Sequence, residues 1–241
     1  MRKIITMLIL SAILSIGTLA EASDYSFEGL FTQDDTVQFF NFSIGEATTV
    51  TVKTYSFTGG INAAGNPILG GGFDPILAIF SGTYSGGFSN TESLKALYTT
   101  HNDDTNISDP GPFDPVTGES WDSYVNVNLG PGNYTAALVQ YGNFYKSGGS
   151  SEFDPVFTQL GNGNYTAADN GSMEISPFWI SDDDIGLGAT KRDGHWAVDI
   201  LKVDNAGVGD TLVTPEPISS ALFLLGGGVL AARRFRKSKK S

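Results

Sequence analysis

Nine residues, Trp121–Leu129, constrain the fold more tightly than any other stretch, because they alternate without a break. Trp121, Ser123, Val125, Val127 and Leu129 fall on one side, and Asp122, Tyr124, Asn126 and Asn128 on the other. That period of two is the pattern of a strand with one buried face and one wet face, and a helix cannot satisfy it. Tyr25–Phe31, Thr36–Ile44 and Thr48–Ser56 are rich in Phe, Val, Thr and Tyr, and Asp34-Asp35 and Gly45-Glu46 divide them, as turns divide short antiparallel strands. Pro75–Ser81 is continuously apolar, which predicts a strand buried on both faces. Further strands are expected at Lys95–Thr100, at Tyr134–Tyr141 after the Gly130-Pro131-Gly132 turn, and at Trp196–Val203 as the last of the series. No segment of this region carries a convincing stripe at 3.6-residue spacing, so the expected class is all-β.

Between these strands lie Gly- and Asn-rich stretches: 59–72, 82–90, 102–120, 142–154 and 162–184. Loops longer than about 12–15 residues are uncommon in compact domains unless they carry function, and some of these are candidates to conceal edge strands. Phe-Asp-Pro recurs at Phe73, Phe113 and Phe153, 40 residues apart. The residues that follow do not repeat, however, and Asn-Tyr-Thr-Ala-Ala recurs at Asn133 and Asn164 with an offset of 31. The motif is therefore read as Asp-Pro turn initiation behind an aromatic anchor rather than as a propeller blade.

The two ends differ from the middle. Arg2 and Lys3 precede an uncharged run, Ile4–Ala20, and Ala20-Glu21-Ala22 fits a small-x-small cleavage site. This predicts a secretory signal peptide over residues 1–22, cut after Ala22 by signal peptidase, with an uncut anchor as the alternative. At the other end Pro215-Glu216-Pro217 leads into the uncharged stretch Ile218–Ala232, followed by Arg233, Arg234, Arg236, Lys237, Lys239 and Lys240. A helix over 218–232 would span about 22 Å at roughly 1.5 Å per residue, short of the ~30 Å hydrocarbon core. The six cations would hold that end on the cytoplasmic side and leave everything before Pro215 outside. A buried C-terminal helix with a solvated basic tail is the alternative.

The ends hold eight of the 14 Lys and Arg and two of the 26 Asp and Glu, so residues 23–211 keep 6 against 24, a net charge of −18. A domain of that charge repels nucleic acid and anionic membranes, which excludes both as partners, and attracts cations such as Ca²⁺. The chain has no cysteine, which removes disulfides, thiol catalysis and thiolate metal sites. Stability must come from burial, for which 16 Phe, nine Tyr and three Trp provide ample area.

The order Pro-Glu-Pro, short hydrophobic span and Arg-rich end resembles the PEP-CTERM sorting signal of exosortase-processed bacterial proteins. The resemblance implies that residues 212–241 are an address, transiently inserted in the inner membrane through 218–232 and removed by exosortase near Pro215–Pro217, as a GPI signal is removed. Three blocks of the domain carry a second resemblance. They are Phe27-Glu28-Gly29-Leu30-Phe31 with Asp34–Phe42; Phe73–Phe80 with His101-Asn102-Asp103-Asp104; and Trp121-Asp122-Ser123-Tyr124 with Gly130–Leu138. Together with Gly194–Ile200, these blocks are similar to an enlarged bacterial pre-peptidase C-terminal domain. This implies a jelly-roll-like antiparallel β-sandwich over 23–211, serving as a non-catalytic accessory or surface module. The expected setting is the cell surface or extracellular matrix of a Gram-negative bacterium, with exopolysaccharide as a partner.

For chemistry, Asn102, Asp103 and Asp104 form the best candidate site. Ca²⁺ takes six to eight oxygens, and adjacent carboxylates with an Asn carbonyl can supply several, with Asp122 close behind. Asp34-Asp35 and Asp182-Asp183-Asp184 are weaker candidates, and none of the three has EF-hand or RTX spacing. Asx turns that shape loops are the competing reading. Hydrolysis would need a base from His101 or His195, and no Gly-x-Ser-x-Gly elbow accompanies either. Polysaccharide binding is the alternative function, with Tyr84, Tyr141, Phe144, Tyr145, Phe178 and Trp179 as candidate stacking rings. It requires three or more of these rings on one exposed face.

Overall fold

The computed structural model describes residues 22–84, 98–103, 120–145, 157–171, 178–182 and 187–212. Residues 1–21 and 213–241, which hold nearly all of the expected signal peptide and sorting tail with Pro215, Glu216 and Pro217, lie outside those residues, as do Asp104, Asp183 and Asp184. So do Phe113 and Phe153. Among the described residues no helix is long and apolar enough to cross a membrane.

The chain runs β1 (Ser23–Leu30), β2 (Val37–Ile44), β3 (Thr48–Thr54), β4 (Gly60–Ile61), β5 (Pro67–Ile68), β6 (Pro75–Ser81), β7 (Tyr98–Asn102), β8 (Tyr124–Leu129) and β9 (Gly132–Gln140). It continues through α1 (Tyr165–Asp169), β10 (Phe178–Asp182), β11 (Leu187–Arg192), β12 (His195–Val203) and β13 (Asn205–Leu212). Two antiparallel sheets form the sandwich, one in the order β1-β12-β3-β8 and the other β13-β2-β9-β6-β7. The pairs β4–β5 and β10–β11 are separate two-stranded ribbons.

Successive strands mostly change sheet instead of pairing as hairpins. The β8–β9 corner shows how this is done. Its Gly130-Pro131 turn takes the chain from one sheet to the other, and Tyr134 Oη donates to the Gly130 carbonyl at 2.9 Å to close it. The core lies between the sheets, with Phe40, Phe42, Leu77, Ile79, Ala136 and Leu138 facing Val50, Val52, Val125, Trp196, Val198 and Ile200.

The five-stranded sheet is buried on its outer face as well. Val37, Phe39, Ile76, Ala78, Phe80, Ala137 and Val139 point outward, joined by Leu212 of β13 beside Val37, and Tyr84, Phe157 and Leu160 cover them. This second layer is why Pro75–Ser81 reads as continuously apolar, since both sides of the pleat meet protein. Turn residues Asp34 and Asp35 hold the covering segment in place. Asp34 accepts from the amides of Asn164 (2.6 Å) and Thr166 (2.8 Å), and Asp35 from the amide of Gly161 (3.1 Å).

Two expectations need correction. Trp196–Val203 is not the last strand, because β13 follows it and pairs with β2 at the sheet edge. With Gly207, Gly209 and a mostly exposed outer side, β13 lacks the apolar pattern that marks a buried strand. The strand expected over Trp121–Leu129 begins only at Tyr124, which leaves Asp122 outside it. It is buried two residues before β8. The stretches read as loops hide regular structure: 59–72 holds the β4–β5 ribbon, and 162–184 holds α1 and β10.

Candidate functional site

The carboxylates singled out from sequence mostly serve the fold. Asp122 Oδ1 accepts from Thr54 Oγ1 (2.8 Å) and the Phe57 amide (3.1 Å), while Oδ2 accepts from the Thr58 amide (2.8 Å) and Thr58 Oγ1 (2.5 Å). Asn102 and Asp103 do lie beside it, at the exit of β7. Ser123 Oγ donates to the carbonyls of both, at 3.0 and 2.9 Å, and the Tyr124 amide donates to Asn102 Oδ1 at 3.3 Å. Asn102 and Asp103 therefore lie near Asp122, which is already engaged by four donors. Among the described residues no group of three or more His, Asp or Glu side chains is arranged to hold a metal ion. His195 and His101 sit on different sheets. His195 opens β12, where it meets Asp193 and donates through Nε2 to the Leu69 carbonyl at 2.7 Å, whereas His101 lies on edge strand β7.

Of the six candidate stacking rings, Tyr84 and Phe178 are buried in the cores and cannot meet a ligand. Tyr145 packs edge-on to Phe80 and Phe157. Tyr141 and Phe144 are exposed and stack edge-to-face at 5.2 Å. Only two of the six, Tyr141 and Trp179, line one cleft, of about 280 Å³, so the requirement of three of these rings on one face is not met by them, and the third ring there is Trp121, from outside that set.

Each wall of this cleft is fixed from behind. Gln140 ends β9, and the Tyr141 amide that follows it bonds the Asp74 carbonyl at 2.7 Å. The single turn α1 contributes Tyr165 and Asp169, and Tyr165 Oη donates to the Tyr141 carbonyl at 2.6 Å. Trp179 comes from β10, and its amide donates to Thr166 Oγ1 at 3.2 Å. The Thr166 hydroxyl in turn donates to Asp34 Oδ2 at 2.7 Å, so a buried turn residue sets the position of an indole. Trp121 packs on Phe57 with ring centroids 5.0 Å apart.

The electrostatics are one-sided. Burial pushes the Tyr165 hydroxyl well above the usual tyrosine range, and the charges of Asp34, Asp74, Asp35 and Asp169 add to that effect. Burial likewise raises the Asp34 carboxyl, against the lowering pull of its bonds to Thr166 and Asn164. On the cleft floor Gln140 is 1 % exposed, and its Oε1 has no hydrogen-bond partner among the described residues. The indole Nε1 of Trp179 has none either. The arrangement offers flat apolar faces, one spare acceptor, one spare donor and a negative field. Sequence reasoning named Tyr141 and Trp179 but missed Gln140, Trp121, Asp169 and Asn170, which come together only through the packing of α1 against β9 and β10. Set against known proteins, the chain matches no family model and no curated protein.

Proposed function

We propose that this chain is an exported, exosortase-processed β-sandwich that acts at the cell surface or in the extracellular matrix without catalysing a reaction. The support for export is the three-part tail, the N-terminal run before Ala22, and the cysteine-free domain of charge −18 between them. The observation that carries the non-catalytic reading is the use made of the buried carboxylates. Asp34, Asp122 and Asp199 are each saturated by backbone amides and hydroxyls, as residues that hold turns together are. Calcium enters as a stabiliser at Asn102, Asp103 and Asp104. Melting with millimolar Ca²⁺ should then exceed melting in EDTA, and equal curves would remove calcium from the reading.

Intact-mass measurement in a host that carries exosortase tests the route. The expected mature chain begins at Ser23 and ends near Pro215–Pro217. A protein that still carries Arg233–Ser241 would refute the processing. A second reading, polysaccharide binding, is favoured by the cleft that Trp121, Tyr141 and Trp179 line.

A further inference from the structure

Resting on that second reading, we propose that the cleft between β9, α1 and β10 binds one uncharged sugar ring of a polysaccharide. Three features of the cleft select this chemistry. Its volume of about 280 Å³ falls just below the ~300 Å³ at which pockets begin to hold drug-sized molecules, which suits a single ring and not an extended chain buried throughout. Its walls include Trp121, Trp179 and Tyr141, whose flat faces match the apolar C–H face of a pyranose.

The polar groups complete the match. Gln140 Oε1 is a buried acceptor and Trp179 Nε1 a buried donor, and each lacks a partner among the described residues. A polar group left unpaired in the interior is costly, so a ligand hydroxyl that reaches either one gains affinity from pairing with it. A hydroxyl both donates and accepts, and a sugar ring carries several around an apolar body. Asp169 and Asn170 stand at the rim to take further hydroxyls.

Charge then excludes the acidic sugars. Asp74 and Asp169 line the cleft, and the domain around them carries −18, so a uronate or a sulfated ring meets only repulsion.

Tryptophan fluorescence of the protein purified from its host provides the test. Neutral hexasaccharides of glucose, mannose and N-acetylglucosamine would be titrated beside a galacturonate hexasaccharide. At least one neutral oligomer is expected to give a saturable emission change, and the galacturonate oligomer none. Trp179→Ala and Gln140→Leu should each weaken that binding about ten-fold or more. Asp169 is exposed on α1, so Asp169→Ala keeps the test valid if the other variants fold poorly, and it should weaken binding without moving the melting temperature. Absence of a saturable response to every neutral oligomer would overturn the proposal. So would equal binding of galacturonate, or binding that survives both Trp179→Ala and Asp169→Ala. These outcomes are independent of the mass of the mature chain, so failure here leaves the export route standing.

Discussion

Asp122 and Arg192 hold opposite ends of one residue. The Phe57 amide donates to Asp122 Oδ1 at 3.1 Å, and the Phe57 carbonyl accepts from Arg192 Nη2 at 2.6 Å. The guanidinium also lies 4.0 Å over the Phe57 ring, and its Nε donates to the Gly72 carbonyl at 2.9 Å. Two buried, oppositely charged side chains thus anchor the base of the β4–β5 ribbon, one satisfying backbone donors and the other backbone acceptors. Each is distant in sequence from the turn it serves, which is why neither could be assigned to it from the sequence alone.

Arg192→Met should therefore destabilise the domain by roughly 2–4 kcal/mol, because it takes the guanidinium donor from the Gly72 carbonyl and leaves the Phe57 carbonyl with the Gly71 amide alone. Arg192→Lys should recover only part of this, since an ammonium cannot span both carbonyls with the geometry of the planar fork. Denaturant melts give the magnitude. Faster hydrogen exchange at residues 57–72 would locate the damage, and a variant as stable as wild type would refute the anchoring role.

Asp199 does similar work inside the four-stranded sheet. It is 0 % exposed on β12, and it accepts from Ser26 Oγ (2.6 Å), Tyr55 Oη (2.6 Å) and the Ala63 amide (2.8 Å). Asp199→Ala removes every acceptor and should cost about 3 kcal/mol. Asp199→Asn keeps one oxygen for Tyr55 and Ala63, and the Ser26 hydroxyl can turn to accept from the new amide. It should cost about 1 kcal/mol. Equal losses in the two variants would show that shape, and not hydrogen bonding, is what the site needs.

The strands were legible wherever burial imposes a pattern. Val125, Val127 and Leu129 against Asn126 and Asn128 give β8 its alternation, and double-sided burial gives β6 its unbroken apolar run. What was not legible is which strands pair. Gly45-Glu46 and Gly130-Pro131 look like hairpin turns, yet both carry the chain across to the other sheet, and only the packing of Phe42 against Tyr134 and its neighbours settles the difference. The cleft was legible in part. Aromatic residues near loops mark candidate stacking positions, but Tyr84 and Phe178 have the same local composition and are buried. Gln140 continues an ordinary strand, so nothing local marks its unpaired oxygen.

Gly29 is required by close approach. It pairs with Trp196 across β1 and β12, and a Cβ placed there would come within 2.2 Å of the indole ring. Trp196 packs edge-on to Phe40 at 5.5 Å and against Phe31 at 6.0 Å, so the ring has little room to retreat. Gly29→Ala should cost about 1–3 kcal/mol through this overpacking and should alter the near-ultraviolet dichroism of the tryptophan. An unchanged spectrum and melting temperature would show that the indole moves freely.

Asp34 links stability to pH and to the cleft together. Burial favours its neutral form, and the charge of Asp35 adds slightly to this. The bonds from Thr166 and Asn164 oppose it without cancelling it, so its carboxyl titrates above the 3.8 of an exposed aspartate. A carboxyl raised in the folded state contributes stability that is complete below the unfolded value and is lost as pH climbs through the folded value. Asp34→Asn cannot titrate but keeps an oxygen for the Thr166 amide. Its stability relative to wild type should therefore improve as pH rises from below 3.8 into the neutral range, when both proteins are followed by urea unfolding at each pH. A difference that stays flat with pH would show that Asp34 binds its proton equally well in the folded and unfolded chain. Because Asp34 positions Thr166, and Thr166 the Trp179 amide, the fluorescence of Trp179 should follow the same titration in wild type and lose that dependence in Asp34→Asn.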